Sequence, residues 1–380
     1  MKNLNFPNLR FPGFYGEWEM KKIGEVAEIK TGNKDTQNKV ENGIYPFFVR
    51  SNSVEKINSY SYDGEAILTS GDGVGVGKNF HYINGRFDFH QRVYSIRNFK
   101  EGFDGKYIYS IFSEKFYDRV MRLSAKNSVD SVRMSMISEM KLSFPMLSEQ
   151  QKIASFLSFI NERIITQKKI IEDLQITKKI ISTRLFNKGF SYIDNYNFKR
   201  LGDLTYVVNK KNKKNLKLPV YSINNKKGFV KQSVQFEGID SDERGYDISL
   251  YKIIDKKTFA YNPARINVGS IGYNRNLENI IISSLYVCFK TTEEVNDEFL
   301  FQYLKTDLFK KDVLRNVEGG VRDYLFYENF SRIKVNLPNI DIQNKIANFL
   351  KLFDEKLTLE NELLTNYENQ KKYLLANLFV

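Results

Sequence analysis

The sequence predicts an α/β (α+β) protein built twice over: two mixed domains of related plan, each followed by one long helix of coiled-coil type. Three observations predict it. The stretch "EQQKIASFL" (Glu149–Leu157) returns as "IQNKIANFL" (Ile342–Leu350), 193 residues later in a chain of 380. Held at that offset without a gap, Pro145–Phe186 and Pro338–Phe379 are identical at 12 of 42 positions, which marks an internal repeat. Both segments also carry one apolar seam with 4-3 spacing. The first visits Ile153, Leu157, Ile160, Ile164, Gln167, Ile171, Leu174, Lys178, Ile181 and Leu185; the second visits Ile346, Leu350, Phe353, Leu357, Glu360, Leu364, Tyr367, Lys371, Leu374 and Leu378. Both seams turn polar at the same two places.

A mean spacing of 3.5 is the mark of long helices packing in coiled-coil fashion. At 1.5 Å per residue, roughly 38 residues span on the order of 55 Å. Neither segment contains Pro after its entry, and Gly189 stands where the first helix should stop. The regions ahead of each helix correspond more loosely. "MKKIGEVAEI" (Met20–Ile29) matches "FKRLGDLTYV" (Phe198–Val207), read as a short strand with a Gly turn. "YPFFVRSN" (Tyr45–Asn52) matches "LPVYSINN" (Leu218–Asn225), a second strand with a polar end. "VYSI" (Val93–Ile96) is set against "LYVC" (Leu285–Cys288), and "YIYSIF" (Tyr107–Phe112) against "FLFQYL" (Phe299–Leu304) as helix starts. "VRMSM" (Val132–Met136) is set against "VRDYL" (Val321–Leu325). The chain therefore divides into a variable domain at 1–146, a long helix at 147–191, a second variable domain at 192–338 and a second long helix at 339–380.

Lys and Arg outnumber Asp and Glu by 58 to 45, and the net charge of +13 points to a polyanionic partner, nucleic acid first. A single cysteine, Cys288, excludes a disulfide within the chain and a thiolate metal cluster, which fits a reducing cytoplasm. The start, "MKNLNFPNLRFPGF", has no apolar stretch long enough for a signal peptide. The longest apolar run, "IIISSLYVCF" (Ile280–Phe289), is too short to cross a bilayer as a helix and reads as one buried strand.

Catalytic constellations are missing. Only two histidines exist, His81 and His90, and no titratable residues stand at metal-ligand spacing. "GDGVGVGK" (Gly71–Lys78) is not a P-loop: Gly73 stands one residue too close to Gly77, and Asn79 replaces the required Ser or Thr. "NPAR" (Asn262–Arg265) lacks the second Pro and the aromatic residue of an adenine methyltransferase motif. The expectation is a reader or scaffold, not an enzyme.

Polar clusters fall between strands, where recognition loops belong. "TGNKDTQNK" (Thr31–Lys39), with Lys34, and "NKKNKKNLK" (Asn209–Lys217), with Lys210, Lys211, Lys213 and Lys214, follow the opening strand of each domain. Lysines there, like Lys78, suit phosphate contact, which adds affinity and salt sensitivity without discrimination. Reading bases needs forked or amide side chains. The candidates are "HQR" (His90, Gln91, Arg92) and "RIN" (Arg265 and Asn267), with Arg50, Asn52, Asn225 and Arg275. Glycines at 75, 77, 269 and 272 suit sharp turns or close backbone approach.

Taken with "LRFPGFYGEWEMKKIGEV", "HQRVYSI", "FPMLSEQQKIASFL" and "YNPARINVGSIG", the duplicated plan resembles the specificity (S) subunit of Type I restriction–modification enzymes over essentially the whole chain. The second copy departs from the motif, with Ile342 and Asn344 in place of Glu and Gln. The resemblance implies that each variable domain is a target recognition domain for one half of a bipartite double-stranded DNA site. It implies that the helices pack antiparallel as a ruler, with Gln150, Lys152, Ile153, Gln343, Lys345 and Ile346 at the helix junctions where partners dock. It further implies no cofactor on this chain. Two methyltransferase (M) subunits would bring S-adenosylmethionine, and restriction (R) subunits would bring ATP and Mg. The competing readings are a non-enzymatic RNA-binding or coiled-coil scaffold protein, and a fused methyltransferase. The first does not explain two different loop sets on one duplicated frame; the missing motifs argue against the second.

Overall fold

In the computed structural model, residues 6–73, 75–123, 131–187, 197–225, 228–235, 245, 247–317 and 324–379 are described. The expected helix stop at Gly189, Val321–Asp323 and the lysines Lys226 and Lys227 lie outside them. The chain forms two compact units: Met1–Lys168 with Glu362–Val380, and Lys169–Asn361.

Unit 1 holds β1 (Glu19–Lys22), α1 (Ile23–Val26), β2 (Glu28–Thr31), β3 (Tyr45–Phe48), β4 (Val54–Ile57), β5 (Tyr62–Ser70), β6 (Phe80–Phe89), β7 (Val93–Arg97), α2 (Gly105–Leu123), α3 (Met134–Ser138), β8 (Lys141–Phe144) and the start of the long α4 (Leu147–Asn187). Unit 2 repeats the plan with β9 (Phe198–Arg200), α5 (Leu201–Leu204), β10 (Thr205–Val207), β11 (Val220–Asn224), β12 (Gly228–Lys231), α6 (Gln232–Gln235), β13 (Lys252–Ile254), β14 (Thr258–Tyr261), β15 (Ile271–Asn274), β16 (Ile280–Ile282), β17 (Val287–Thr291), α7 (Asp297–Leu304), α8 (Asp307–Asn316), α9 (Tyr327–Arg332), β18 (Lys334–Asn336) and the start of the long α10 (Ile340–Asn377). Each unit is completed by the last turns of the other copy's long helix.

The strand ahead of each long helix pairs back to the first strand of its domain, β8 with β1 and β18 with β9. In unit 1 a six-stranded sheet runs β2-β7-β5-β6-β3-β4, whereas unit 2 has two four-stranded sheets, β10-β17-β14-β15 and β12-β11-β16-β13. The cause is strand length. β6 has ten residues and pairs with β5 on one edge and, parallel, with β3 on the other. In unit 2 these two roles fall to separate short strands, β15 pairing antiparallel with β14 and β16 pairing parallel with β11 in the other sheet.

The structure corrects four details read from the sequence. Gly24 and Gly202 do not make turns: they sit in the one-turn helices α1 and α5, where a Cβ would lie 3.1 Å from Ser138 and 2.9 Å from Ser331, so close packing selects glycine. Ile280–Phe289 is not one strand. A turn closed by the Tyr286 N–H donating to the Ser283 carbonyl at 3.2 Å splits it into β16 and β17, which belong to different sheets. The pairing registers Ile29↔Ile96 and Val207↔Phe289 set Val93–Ile96 against Tyr286–Phe289, one residue on from "LYVC". The Val132 and Leu325 N–H groups donate to the Gly71 and Pro263 carbonyls, so Val132 corresponds to Leu325 and not to Val321.

The seam is where the spacing puts it, since all twenty of its positions are buried or half-buried. In unit 1, Ile153, Leu157 and Ile160 of α4 pack with Leu374 and Leu378 of α10 and with Tyr107, Phe112 and Phe116 of α2. The helices run antiparallel: Leu9, next to the Arg10 that meets Glu149, bonds the Asn377 carbonyl, while Lys168 pairs with Glu368 at 3.0 Å. In unit 2, Leu185 and Phe186 of α4 pack with Ile346 and Leu350 of α10 and with Phe299 and Leu300 of α7. The polar break at Lys178 is answered by Asp354 at 2.6 Å, and Gln302 donates to the same carboxylate at 2.7 Å. Among the described residues no helix is long and apolar enough to cross a membrane.

Candidate nucleic-acid interface

In unit 1 the polar loops gather around the end of the sheet where β2 and β5 finish and β7 begins. The His90 N–H donates to the Phe48 carbonyl at 2.9 Å, Gln91 N–H to Lys34 at 2.8 Å and Gly71 N–H to Arg92 at 2.7 Å. Those bonds bring Lys34, Arg50, Gln91 and Arg92 together. Arg50 and Arg92 face one carboxylate, Asp72, at 3.2 and 3.6 Å, and both guanidinium groups remain substantially exposed. The Gln91 amide donates to Asp35 at 3.1 Å and stays on the surface. Asn52 is exposed in the turn after β3. Lys78 is exposed over the Tyr117 ring at 4.7 Å, and its neighbour Gly77 has a φ of 68° that favours glycine.

His90 is placed differently. It is 2% exposed, and its Nδ1 accepts the Arg92 N–H at 2.9 Å, so the ring shapes the "HQR" turn. Burial, with Arg50 nearby, pushes its pKa below the ordinary histidine value.

Unit 2 presents a comparable end. The registers Val207↔Phe289 and Tyr261↔Val287 put the end of β10, the end of β14 and the start of β17 side by side. The lysine loop leaves from the first and the "NPARIN" turn from the second. Asn212 holds the lysine loop in shape: fully buried, its amide donates to the Leu216 carbonyl at 2.9 Å and its oxygen accepts the Leu216 N–H at 2.9 Å. Lys210, Lys211, Lys213 and Lys214 are all exposed around it, with no carboxylate partner among the described residues. Arg265 is exposed at the entry to the short 3-10 turn Ile266–Val268, Asn267 is half-buried within it, and Gly269 closes it at φ 89°. Asn225 is exposed in the β11–β12 turn.

Arg275 is not brought to this end. It follows β15, at the edge of the sheet where β14 begins, and grips Glu298 at the start of α7 through two hydrogen bonds while lying 5.3 Å from the Tyr273 ring. Among the described residues no group of His, Cys, Asp or Glu is placed to hold a metal ion. Cys288 is buried, and burial pushes its thiol up to about 12.

The helix junctions are built from one device used twice. The Gln150 amide donates to the Gly102 carbonyl at 3.0 Å and the Pro145 carbonyl at 2.8 Å, and its oxygen accepts the Asp104 N–H at 3.0 Å. Gln343 donates to the Glu294 carbonyl at 3.1 Å and the Pro338 carbonyl at 2.8 Å, and accepts the Asn296 N–H at 2.8 Å. Each glutamine therefore ties its long helix to the loop capping α2 or α7. Both glutamines, Ile153 and Ile346 are buried, and only Lys152 and Lys345 of the six junction residues reach the surface. The sequence did not reveal the partner of Glu149. This carboxylate is wholly buried and accepts two bonds from Arg10, at 2.8 and 2.7 Å; Arg10 also donates to the Gly16 carbonyl at 2.7 Å. The readable signal was the contrast with Ile342, which calls for a cation that only the first copy supplies.

Comparison with known proteins places this architecture. The family model for the Type I restriction modification DNA specificity domain matches twice, at residues 15–175 and 193–369. The chain is 26% identical to a putative Type I specificity subunit of Mycoplasma pneumoniae, over 86% of either protein. It is 24% identical to the Type I restriction enzyme MjaVIII specificity subunit of Methanocaldococcus jannaschii, over 98% of this chain and 95% of that one. A match of 26% to the putative MjaX specificity subunit of the same archaeon spans 71% of this chain and 65%, just under two thirds, of that relative. The fold is shared with the crystal structure of a Type I restriction-modification S subunit from M. genitalium at a TM-score of 0.69, with 18% identity and 99% of both chains covered. With the domain model matched in both halves of one duplicated frame, the chain belongs to the Type I restriction–modification DNA specificity family, as a specificity subunit.

Proposed function

We propose that each unit reads one half of a bipartite, asymmetric double-stranded DNA site, and that the two long helices set the unread gap between the halves. The observation that carries this reading is the pair of loop sets. They emerge from the same end of equivalent sheets, they are rich in Lys, Arg, Gln and Asn, and they differ from each other while the frame beneath them is repeated. Exposed Arg50, Asn52, Gln91 and Arg92 in unit 1, and Arg265 and Asn225 in unit 2, are the groups that suit base edges. The exposed lysines suit phosphates.

The chain itself performs no chemistry in this reading. Two methyltransferase subunits, carrying S-adenosylmethionine, dock on the helices and methylate adenine; restriction subunits, with ATP and Mg, join them. Support for two copies of one partner comes from apolar side chains left exposed at matched positions of the repeat: Phe159 and Leu352, Ile170 and Leu363, Ile180 and Tyr373. A duplicated patch offers two equivalent faces.

The test is to sequence methylated sites in cells carrying an adenine-methyltransferase partner, with and without this chain. A split motif that appears only with the chain supports the reading. Four residues inserted after Thr177 should lengthen the helix by about 6 Å and widen the gap by one or two base pairs at about 3.4 Å each, with both half-sites retained. Methyl transfer by the purified chain alone, or an active insertion variant with an unaltered gap, would contradict it.

A further inference from the structure

The two reading ends differ in chemistry. By the strand registers, Gln91 and Arg92 of unit 1 correspond to Ser284 and Leu285 of unit 2. A forked cation has become an aliphatic side chain that is 75% exposed. It is not alone. Val268, in the turn leaving β14, is 59% exposed, and Tyr261↔Val287 pairing makes that turn the neighbour of Leu285. The Leu325 N–H donates to the Pro263 carbonyl in the same turn, which sets the exposed rings of Tyr324 and Phe326 beside it, stacked within 4° of parallel. These four apolar side chains edge the same end of the sheet as the lysine loop. Single exposed apolar residues need no explanation, but a group of them beside four exposed lysines has a specific use. The lysines supply the attraction to a phosphate backbone, and the apolar group then meets what lies in the groove. The apolar feature of the major groove is the C5-methyl group of thymine.

We infer that unit 2 reads its half-site in part through thymine methyl groups held against Leu285, Val268, Tyr324 and Phe326, whereas unit 1 reads its half-site through guanidinium and amide groups. This rests on the proposal that both loop ends face DNA. The experiment starts from the half-sites found by methylation sequencing and measures binding of the full chain with its methyltransferase partner to duplexes in which thymine is replaced by deoxyuridine, one half-site at a time. Removing the methyl should weaken binding roughly fourfold per contacted thymine in one half-site, the factor expected for one buried methyl-sized group, and change the other little. Leu285→Ser, at a position too exposed to endanger folding, should reduce that sensitivity, read as the ratio of thymine-duplex to uracil-duplex affinity of the same protein. Equal sensitivity in both half-sites, no sensitivity in either, or a sensitivity undiminished in L285S would overturn the inference. Absence of any split site would instead sink the DNA-reading proposal beneath it, so the two failures are distinguishable.

Discussion

At the start of α4 the residue ahead of the clasping glutamine is Glu149, buried and locked by Arg10; at the start of α10 it is Ile342, packed into the apolar core of unit 2. The following Gln151 and Asn344 also differ, and Asn344 accepts a 2.8 Å bond from the Asn296 amide. The glutamines themselves make the same three bonds in both copies. The repeat has kept what fixes each domain to its helix and let the surroundings follow local chain context. Unit 1 has an N-terminal segment to anchor, and the Arg10–Glu149 pair anchors it, with Phe11 packed edge-on to Phe156 at 5.5 Å.

Arg10→Ala should have the largest effect, and in unit 1 alone. It strands a buried carboxylate, at a cost of about 3 kcal/mol or more. Hydrogen exchange should speed up in peptides of residues 8–18 and 147–160 and stay unchanged across 198–336. Arg10→Met with Glu149→Met should recover most of the loss. Equal loosening of both units would break the contrast.

Gln150→Ala and Gln343→Ala should cost about 2 kcal/mol each, because either leaves a buried N–H and two carbonyls short of a partner. Urea unfolding of the two variants should give matching losses. A loss confined to one copy would show that the clasp is not equivalent.

Replacing Lys210, Lys211, Lys213 and Lys214 with Ala should lower the slope of log affinity against log salt by roughly 0.9 for each phosphate no longer neutralised, alike for target and non-target DNA. Lys34→Ala in unit 1 should release at most one phosphate. Anisotropy titrations over a range of salt concentrations read both; an unaltered slope would return the lysine loop to plain solvation.

The smallest difference is in pH response. Both histidines lie in unit 1, and burial holds both below the ordinary value of 6.5. Below 6.5, and down to the folded values, the unfolded chain binds protons that the folded unit does not, so stability rises with pH in that window. Unit 1 should therefore lose protection against hydrogen exchange between pH 7 and pH 5.5, after correction for intrinsic rates, while unit 2 does not. Replacing His81 and His90 with Asn should flatten the response.

The helices were legible because a 3.5-residue seam is a strong periodic signal, and every seam position proved at least half-buried. Their entry glutamines were legible from repetition alone. Less of the sheets could be read, since strands of three to five residues carry little periodicity; hence the single strand read across Ile280–Phe289 and the one-residue slip at Leu285. Loop residues were identified by type, and type does not report burial. His90 and Arg92 are two residues apart, yet one shapes the turn and the other faces outward. Arg275 looked like its fellow arginines until β15 carried it to the opposite edge of the sheet, onto Glu298.

The composition of the two units also sets how far each depends on distant parts of the chain. Unit 2 is a continuous stretch, Lys169–Asn361, so all of its packing partners lie in one run of sequence. Unit 1 is not continuous: Leu374, Leu378 and Phe379 belong to its core, although the whole of unit 2 separates them from the rest of it in the chain. Completing unit 1 therefore closes a loop that holds the whole of unit 2, at an entropic cost that grows only slowly with length. Until that loop closes, the α4 seam from Ile153 to Ile164 has its α2 partners but lacks Leu374 and Leu378, and apolar surface left bare in this way is open to aggregation.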